Sequence, residues 1–191
     1  MSTEFFNDQW RIPSNENQNK ISNYSMEFSG TSEDVRTGSI TIGDTFTFSC
    51  WVNANVFTTN MTFLSSPNYF TAGQDGNFII RFNSTTSIQF VTYDTTSYLE
   101  VVTGTIPALT NNTWNHFVIT STPTTSQIYW NAAPVTTTGV NTKGLDDLLN
   151  GLIIGDNITN NNPGFPGKID QTTIFDYALS QDQVTQLGAE G

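Results

Sequence analysis

G-K-I-D-Q-T-T-I-F-D-Y-A-L-S, residues 167–180, is the stretch that decides the fold of this chain. Between Ile169 and Tyr177 the pattern is one of alternation, which is the period of a strand with one buried face. The alternation places Ile169, Phe175 and Tyr177 on one face and Ile174 on the other. The sequence therefore predicts a long, half-buried strand that holds a sheet together.

Segments on either side of this strand extend the prediction. Before it, the apolar run L-I-I at 152–154 stands between two glycines, which predicts a strand covered on both faces. After it, Ser180 is a good helix N-cap, and Gln183 stands three residues on, at the spacing of a capping box. Gly188 is expected to end the helix. The sequence thus predicts a C-terminal helix of one or two turns.

Earlier segments form a series of short strands with regular punctuation. Alternating apolar residues mark 46–52, 78–82, 88–92 and 99–103, and glycine, proline and asparagine separate them. Many short strands with turn residues between them are typical of a β-sandwich or jelly roll. The 21 Asn and 31 Thr residues fit this architecture, because Asn favours turns and Thr favours strands.

The order of these segments resembles one protein family. The stretch from Gly167 to Val184 looks like the C-terminal part of concanavalin A-like lectin/glucanase domains, specifically the laminin-G-like group. Four upstream pieces resemble the same group in the same order: Y-S-M-E-F-S-G at 24–30, F-T-F-S-C-W-V at 46–52, T-W-N-H-F-V-I-T at 113–120 and I-Y-W-N-A-A-P-V at 128–135. The resemblance implies an all-β fold, a two-sheet antiparallel jelly-roll sandwich with a short C-terminal helix. It leaves the function open, because this fold hosts lectins, glycosidases, adhesion domains and virion proteins.

The domain is expected to cover residues 23–191, and residues 1–22 are expected to form an N-terminal arm. Apolar side chains punctuate this otherwise polar arm; they are Phe5, Phe6, Trp10 and Ile12. Exposed side chains of this kind are often anchors for a neighbouring chain. We therefore predict that the arm binds other subunits of a virion or another assembly. The alternative is that it folds back onto its own domain.

Composition excludes several classes of partner. Seventeen acidic residues against six Lys and Arg give a net charge of −11, so phosphate backbones are repelled and we expect no nucleic-acid binding. The longest apolar runs fall far short of the roughly 20 residues that cross a bilayer, so we expect no membrane insertion.

The N-terminus lacks the basic and apolar regions of a secretory signal peptide. Cys50 is the sole cysteine, so an internal disulfide is impossible.

Residues that catalysis would need are scarce. A nucleophilic mechanism would have to use His116, the sole histidine, which like Cys50 lies within a predicted strand, where packed side chains are the rule. A glycosidase needs two carboxyl groups about 5–10 Å apart, whereas Asp170 and Asp176 would lie roughly 20 Å apart along their strand. No glutamate begins the Glu-x-Asp pattern of hydrolases in the family that this chain resembles. The sequence therefore favours a protein that is not an enzyme and requires no cofactor.

Calcium is the one cofactor that the resemblance implies. Many laminin-G-like domains bind calcium, and the aspartate of the G-K-I-D segment, here Asp170, is often implicated. The early F-D-G motif of the family is F-S-G in this chain, with Ser29 in place of a possible ligand. Calcium takes six to eight oxygens, and backbone carbonyls could supply some of them. The alternative is that Asp170 accepts hydrogen bonds from neighbouring backbone amides.

One loop offers groups suited to a glycan. Residues 156–167 read D-N-I-T-N-N-N-P-G-F-P-G, with amides at Asn160, Asn161 and Asn162 and an aromatic ring at Phe165. Sugar sites combine planar amides with an aromatic platform, so we predict that these four residues bind a ligand. The alternative is a well-capped turn that binds nothing.

The leading hypothesis is a non-enzymatic structural or binding protein on the surface of a virion. A phage capsid decoration, fibre or tail-associated subunit would fit the low lysine content, the polar β-rich surface and the lack of a signal peptide. The virion is then the expected location. An exported bacterial carbohydrate-binding or adhesion domain, extracellular or at the cell surface, is the alternative, and a glycoside hydrolase is third.

Overall fold

Thirteen strands and one helix make up the described part of the protein. The structure is a computed structural model that describes residues 25–31, 33–67, 77–93, 99–142, 145, 151–156 and 163–189. In chain order the elements are β1 (Met26–Ser29), β2 (Val35–Arg36), β3 (Phe46–Ala54), β4 (Met61–Ser65), β5 (Asn77–Ser84), β6 (Ser87–Tyr93), β7 (Leu99–Thr105), β8 (Trp114–Thr122), β9 (Thr125–Trp130), β10 (Ala133–Pro134), β11 (Thr136–Thr138), β12 (Ile153–Ile154), β13 (Pro166–Phe175) and α1 (Gln181–Ala189).

The strands form two sheets that pack against each other. The six-stranded sheet has the order β1-β13-β3-β8-β9-β10, and the seven-stranded sheet has the order β11-β7-β6-β5-β4-β12-β2. Neighbouring strands within both sheets are antiparallel throughout the described residues. The edge strands are short: β2 and β10 have two residues each, β11 has three and β1 has four. The predicted two-sheet antiparallel sandwich with a short C-terminal helix is confirmed.

Phenylalanine rings fill the space between the sheets. Phe46 and Phe48 point inward from β3, and Phe78 and Phe90 meet them from the seven-stranded sheet. The ring centroids of Phe48 and Phe78 lie 5.1 Å apart, and those of Phe46 and Phe90 lie 5.7 Å apart. All four side chains are fully buried. Burying a side chain of this size contributes about 1.5–3 kcal/mol, so these rings are a major source of the stability of the sandwich.

A β-bulge interrupts β13. Asp170 lies opposite Trp51 on β3, whereas the next paired residue is Thr173, opposite Ser49. The strand therefore carries one extra residue between these two pairs. Gln171 within the bulge has a φ of 48°, in the left-handed region.

The bulge reverses the alternation of side chains along β13. Ile169 is buried in the core between the sheets, and Ile174 packs against the same core. Phe175 instead packs on the outer face of the six-stranded sheet, against the cluster beneath α1. The prediction that Ile169 and Phe175 share a face is therefore wrong. One extra residue in a pattern of period two moves every later side chain to the opposite face.

The helix α1 packs on the outer face of the six-stranded sheet. The N–H of Ser180 donates to Oε1 of Gln183 at 2.9 Å, and the N–H of Gln183 donates to Oγ of Ser180 at 3.4 Å, so the predicted capping box is confirmed. The helix runs to Ala189, one residue beyond the predicted stop at Gly188. A β-carbon at Gly188 would lie 3.0 Å from Nδ1 of His116. This glycine therefore permits close packing on the sheet and does not end the helix.

Gly155 links the seven-stranded sheet to the start of β13. Its N–H donates to the carbonyl of Phe63 at 2.9 Å, and its own carbonyl accepts from the N–H of Phe165 at 2.8 Å. The φ of Gly155 is 93°, and a β-carbon there would overlap the ring of Phe28, which is buried. Both the backbone conformation and the available space thus require glycine.

We expect Gly155→Ala to destabilise the protein by about 2 kcal/mol or more, because alanine is strained at this φ and its methyl group overlaps Phe28. Gly43→Ala is the matched control, since no atom lies within 4 Å of a β-carbon there. Its effect should stay within about 0.5 kcal/mol. Urea denaturation followed by circular dichroism gives both free energies of unfolding. Equal stability of the two variants would contradict the role assigned to Gly155.

Candidate functional site

The helix α1 covers only part of the outer face of the six-stranded sheet. Val118 on β8 and Tyr129 on β9 are buried there together with Leu179 and Val184. Outward positions nearer the start of β8 lie outside this cluster. A transverse row of four residues stays open at that end of the sheet.

We name these four residues, Glu27, Lys168, Asn53 and Trp114, the indole row. Glu27 on β1 lies opposite Lys168 on β13. Lys168 lies opposite Asn53 on β3, which in turn lies opposite Trp114 on β8. Residues adjacent in the strands, such as Ile169, face the core, so the pleat directs the row outward. With strands about 4.8 Å apart, the row spans roughly 14 Å.

The side chains of the indole row are accessible, and their polar groups are unpaired. Trp114 is 39% exposed, Glu27 is exposed, and Asn53 and Lys168 are half-buried. Within the described structure none of the four makes a side-chain hydrogen bond or an ion pair. The row therefore presents an indole ring, an amide, an ammonium group and a carboxylate whose hydrogen-bonding capacity is available to a ligand.

Lys168 differs in this respect from the other cations that the structure describes. Arg36 forms an ion pair with Asp34 at 2.7 Å. Arg81 donates two hydrogen bonds to Oε1 of Gln89, at 3.1 and 3.3 Å. The Lys168 ammonium has no such partner among the described residues and keeps its three donors free.

A second row supports the indole row from the side of the helix. It consists of Asp170, Trp51 and His116, which lie opposite one another on β13, β3 and β8. The rings of Trp51 and His116 stack, with centroids 5.0 Å apart and an interplanar angle of 22°. His116 is buried beneath Gly188 of α1. This stack fixes the sheet face next to the open row.

His116 and Ser49 form a buried pair that lacks the features of a catalytic dyad. Nε2 of His116 and Oγ of Ser49 lie 2.9 Å apart, but the two residues are only 1% and 3% exposed. Nδ1 of His116 has no hydrogen-bond partner, so no carboxylate orients the ring as in a Ser-His-Asp triad. Burial lowers the pKa of His116 to about 4 and raises the pKa of the Cys50 thiol. Both groups are therefore neutral at pH 7.

Asp170 stabilises the bulge. Its Oδ1 accepts a hydrogen bond from the backbone N–H of Gln171 at 2.8 Å. This contact is the alternative to calcium binding that the sequence analysis gave for Asp170. Across the described ranges, no group of three or more His, Cys, Asp or Glu side chains is placed to hold a metal ion. One half-exposed carboxylate falls short of the six to eight oxygens that calcium takes. These residues alone do not fit calcium, and calcium binding at Asp170 stays a prediction.

The predicted ligand loop is only partly described. Asn160, Asn161 and Asn162 lie outside the described residues, and their role stays a prediction. Phe165 is fully buried, and its ring centroid lies 6.2 Å from that of Phe63. The prediction that Phe165 is a ligand platform is wrong, because its ring fills the core and does not face solvent.

The stem of that loop lies at the same end of the sandwich as the indole row. The N–H of Thr62 donates to the carbonyl of Pro163 at 3.0 Å. β13 then begins at Pro166, two residues before Lys168.

The four residues predicted to bind a partner, Phe5, Phe6, Trp10 and Ile12, also lie outside the described residues, and their role stays a prediction. The description of the chain starts at Ser25, directly before β1. In the described part of the chain, no helix is both long enough and apolar enough to cross a lipid bilayer.

Sequence reasoning missed the indole row. Trp114 belongs to the segment 113–120, which indicates the family resemblance, and Asn53 directly follows the predicted strand at 46–52. One signal was available: Trp114 has the opposite parity to Phe117 and Ile119, which face the core, so it had to face outward. Trp114, Asn53 and Lys168 lie next to one another because of the register between β8, β3 and β13. A single sequence does not specify this register.

The sandwich and its partly open sheet face define a lectin-like jelly-roll domain. The family model Laminin_G_3, of the concanavalin A-like lectin/glucanases superfamily, matches residues 29–185, and the chain belongs to this family. The predicted resemblance is confirmed. No curated protein sequence matches the chain.

Solved structures with a similar fold include several binding proteins. A native heptameric SAP-like pentraxin from Limulus polyphemus has a TM-score of 0.62 at 17% identity, over 86% of this chain and 80% of the pentraxin. The CBM40 of Ruminococcus gnavus IT-sialidase, bound to α2,3-sialyllactose, has a TM-score of 0.59 at 11% identity, over 82% of this chain and 96% of that chain. The binding domain of botulinum neurotoxin serotype G has a TM-score of 0.57 at 14% identity, over 86% of this chain and 46% of that chain. At these identities the likeness is one of fold.

We expect the free energy of unfolding to fall by about 2–3 kcal/mol between pH 7.5 and pH 4.5 because of His116 alone. Its pKa in the folded protein is about 4, below the ordinary value of 6.5, so folding favours the neutral ring. The stabilisation is complete above pH 6.5 and is lost as the pH falls from 6.5 towards 4.

Urea denaturation of the wild type and of His116→Gln at both pH values isolates this contribution. The carboxylates are the same in the two proteins, so the variant should show a pH dependence smaller by about 2–3 kcal/mol. An identical pH dependence in both proteins would contradict the buried, neutral state of His116.

Proposed function

We propose that this protein is a non-catalytic binding domain that recognises a glycan through the indole row. The observation that carries the proposal is the exposed Trp114 ring beside the unpaired Asn53 amide and Lys168 ammonium. An aromatic ring provides an apolar surface with a polar edge, and an amide both donates and accepts hydrogen bonds. These two groups match the apolar and hydroxyl-bearing surfaces of a sugar ring.

The position of the indole row supports a binding role. Register brings an indole ring, an amide, an ammonium group and a carboxylate together in one row, so an apolar surface and several hydrogen-bonding groups face solvent at the same place. The row runs from the edge strand β1 across β13, β3 and β8, which are paired on both sides, and the inner face of this sheet is packed with phenylalanine, so Lys168, Asn53 and Trp114 start from a fixed backbone. A rigid scaffold lowers the entropic cost of binding.

Solved structures of the same fold add support. The CBM40 structure is named as bound to sialyllactose, and the botulinum neurotoxin structure is named as a binding domain. These likenesses, at 11% and 14% identity, support a binding role without identifying a ligand.

The Ser49–His116 pair supports a non-catalytic role. A nucleophile must reach its substrate, whereas these side chains are buried between the sheet and α1. Nδ1 of His116 has no partner, and the thiol of Cys50 stays protonated because burial raises its pKa. Turnover of a polysaccharide by the purified protein, abolished by substitution of one acidic residue, would overturn this part of the proposal.

We also propose that the domain works on the surface of a virus particle, as a capsid decoration, fibre or tail-associated subunit. The net charge of −11 and the abundance of Thr and Asn suit a polar, β-rich protein on the outside of a particle, and burial shields the single cysteine from oxidation. Mass spectrometry of purified particles should detect the chain at a fixed copy number per capsid protein. Detection only in secreted or cell-surface fractions would favour the alternative, an exported bacterial carbohydrate-binding or adhesion domain.

We expect Trp114→Ala to weaken glycan binding about tenfold or more, because it removes the aromatic surface of the indole row. Tyr177→Ala is the matched control: Tyr177 is an exposed aromatic residue, 47% accessible, that lies beyond the end of β13 and outside the row. The affinity of both variants for glycans retained on an array can be measured by calorimetry. Equal loss in both variants, or none in Trp114→Ala, would contradict the assignment of the row.

A further inference from the structure

We infer that the indole row selects neutral glycans and discriminates against glycans that carry a carboxylate or a sulfate. This inference rests on the proposed function and specifies its ligand class. The observation behind it is the arrangement of charges around Lys168, the one cation on this row. Acidic side chains flank it on two sides.

Register places both acids close to Lys168. Glu27 lies directly opposite it on β1, so their β-carbons are about 5 Å apart. Asp170 lies two residues along β13 and, before the bulge, on the same outward face, roughly 7 Å away. Neither acid forms an ion pair with Lys168 in the described structure. The carboxylates of Glu27 and Asp170 are therefore each free to accept hydrogen bonds from a ligand, and the ammonium group of Lys168 between them is free to donate hydrogen bonds.

A neutral sugar satisfies this pattern. A hydroxyl group both donates and accepts, so adjacent hydroxyls can donate to Glu27 and Asp170 and accept from Lys168. Asp170 retains capacity for this contact, because Oδ1 accepts from the Gln171 amide while Oδ2 makes no hydrogen bond within the described residues. The Asn53 amide can act in either direction. A polyol therefore finds a partner for every polar group of the row.

An acidic sugar matches this arrangement of one cation between two carboxylates less well than a neutral sugar does. A carboxylate or a sulfate only accepts hydrogen bonds, so when it binds Lys168 it cannot itself donate to the adjacent Glu27 or Asp170, as a hydroxyl group at the same place can. It also places a third negative charge within a few ångströms of two existing ones, and like charges at that distance repel. The net charge of −11 adds a long-range repulsion of the same sign. Together these effects should lower the affinity for the acidic form about fivefold or more.

A glycan array that carries each neutral oligosaccharide beside its sialylated and sulfated derivatives tests the inference. We expect neutral members to bind and acidic members of the same pairs to bind about fivefold more weakly at low salt. The difference should shrink as sodium chloride is raised towards 1 M, because salt screens charges on an exposed face. Tighter binding of the sialylated or sulfated members would overturn the inference.

Two double variants assign the effect to these acids. Glu27→Gln with Asp170→Asn keeps the shape of both side chains and the acceptor for Gln171, and it should remove most of the discrimination. Asp44→Asn with Asp176→Asn removes the same charge at exposed positions outside the row, and it should leave the discrimination unchanged. Equal discrimination in both double variants would overturn the role of Glu27 and Asp170.

The outcomes separate the inference from the proposed function. If glycans bind and Trp114→Ala abolishes binding, but acidic forms bind better, the inference fails and the proposed function stands. If no glycan of either class binds the full chain, both fail. Neutral preference that is lost only in the Glu27→Gln/Asp170→Asn protein supports both.

Discussion

The pairing of β13 with β3 is the constraint on which the rest of the structure depends. It runs over residues 167–175 and holds the C-terminal part of the chain between β1 and β3 within the six-stranded sheet. The bulge within it decides which side chains reach the core: Ile169 and Ile174 face the other sheet, whereas Phe175 faces the helix. One strand thus contributes both to the core between the sheets and to the smaller cluster under α1. The same strand places Lys168 and Asp170 on the outer face.

The length of α1 determines how much of that outer face is available. Nine helical residues extend about 14 Å, whereas the nine residues of β8 extend about 30 Å, so the helix cannot cover the whole sheet. It buries Val118 and Tyr129 and leaves Trp114 accessible. Trp114 remains 39% exposed, so part of the stabilisation of about 1.5–3 kcal/mol that full burial of a large apolar side chain contributes is not gained.

Sequence reasoning recovered the fold because alternation and turn residues are local signals. The segment at 46–52 and the capping box from Ser180 to Gln183 could be read from spacing alone. The bulge was missed because Gln171 adopts a left-handed φ that glycine, asparagine or aspartate adopt more often. Phe165 was misassigned because an aromatic residue among loop residues gives no sign of the direction of its ring. The indole row depends on register across four strands, which becomes visible only when the sheet is assembled.

Short edge strands limit the association of one copy of the domain with another through their sheets. A long, flat edge is a template on which another chain can add hydrogen bonds, and this is how sheet proteins polymerise. Among the described residues the edge strands are two to four residues long, and one of them, β10, ends in Pro134, which has no backbone N–H to donate. Many copies could therefore stand side by side at high local concentration without merging into a continuous cross-β stack. Multivalent binding, in which several weak contacts together give a high overall affinity, works through many copies of a domain held close together.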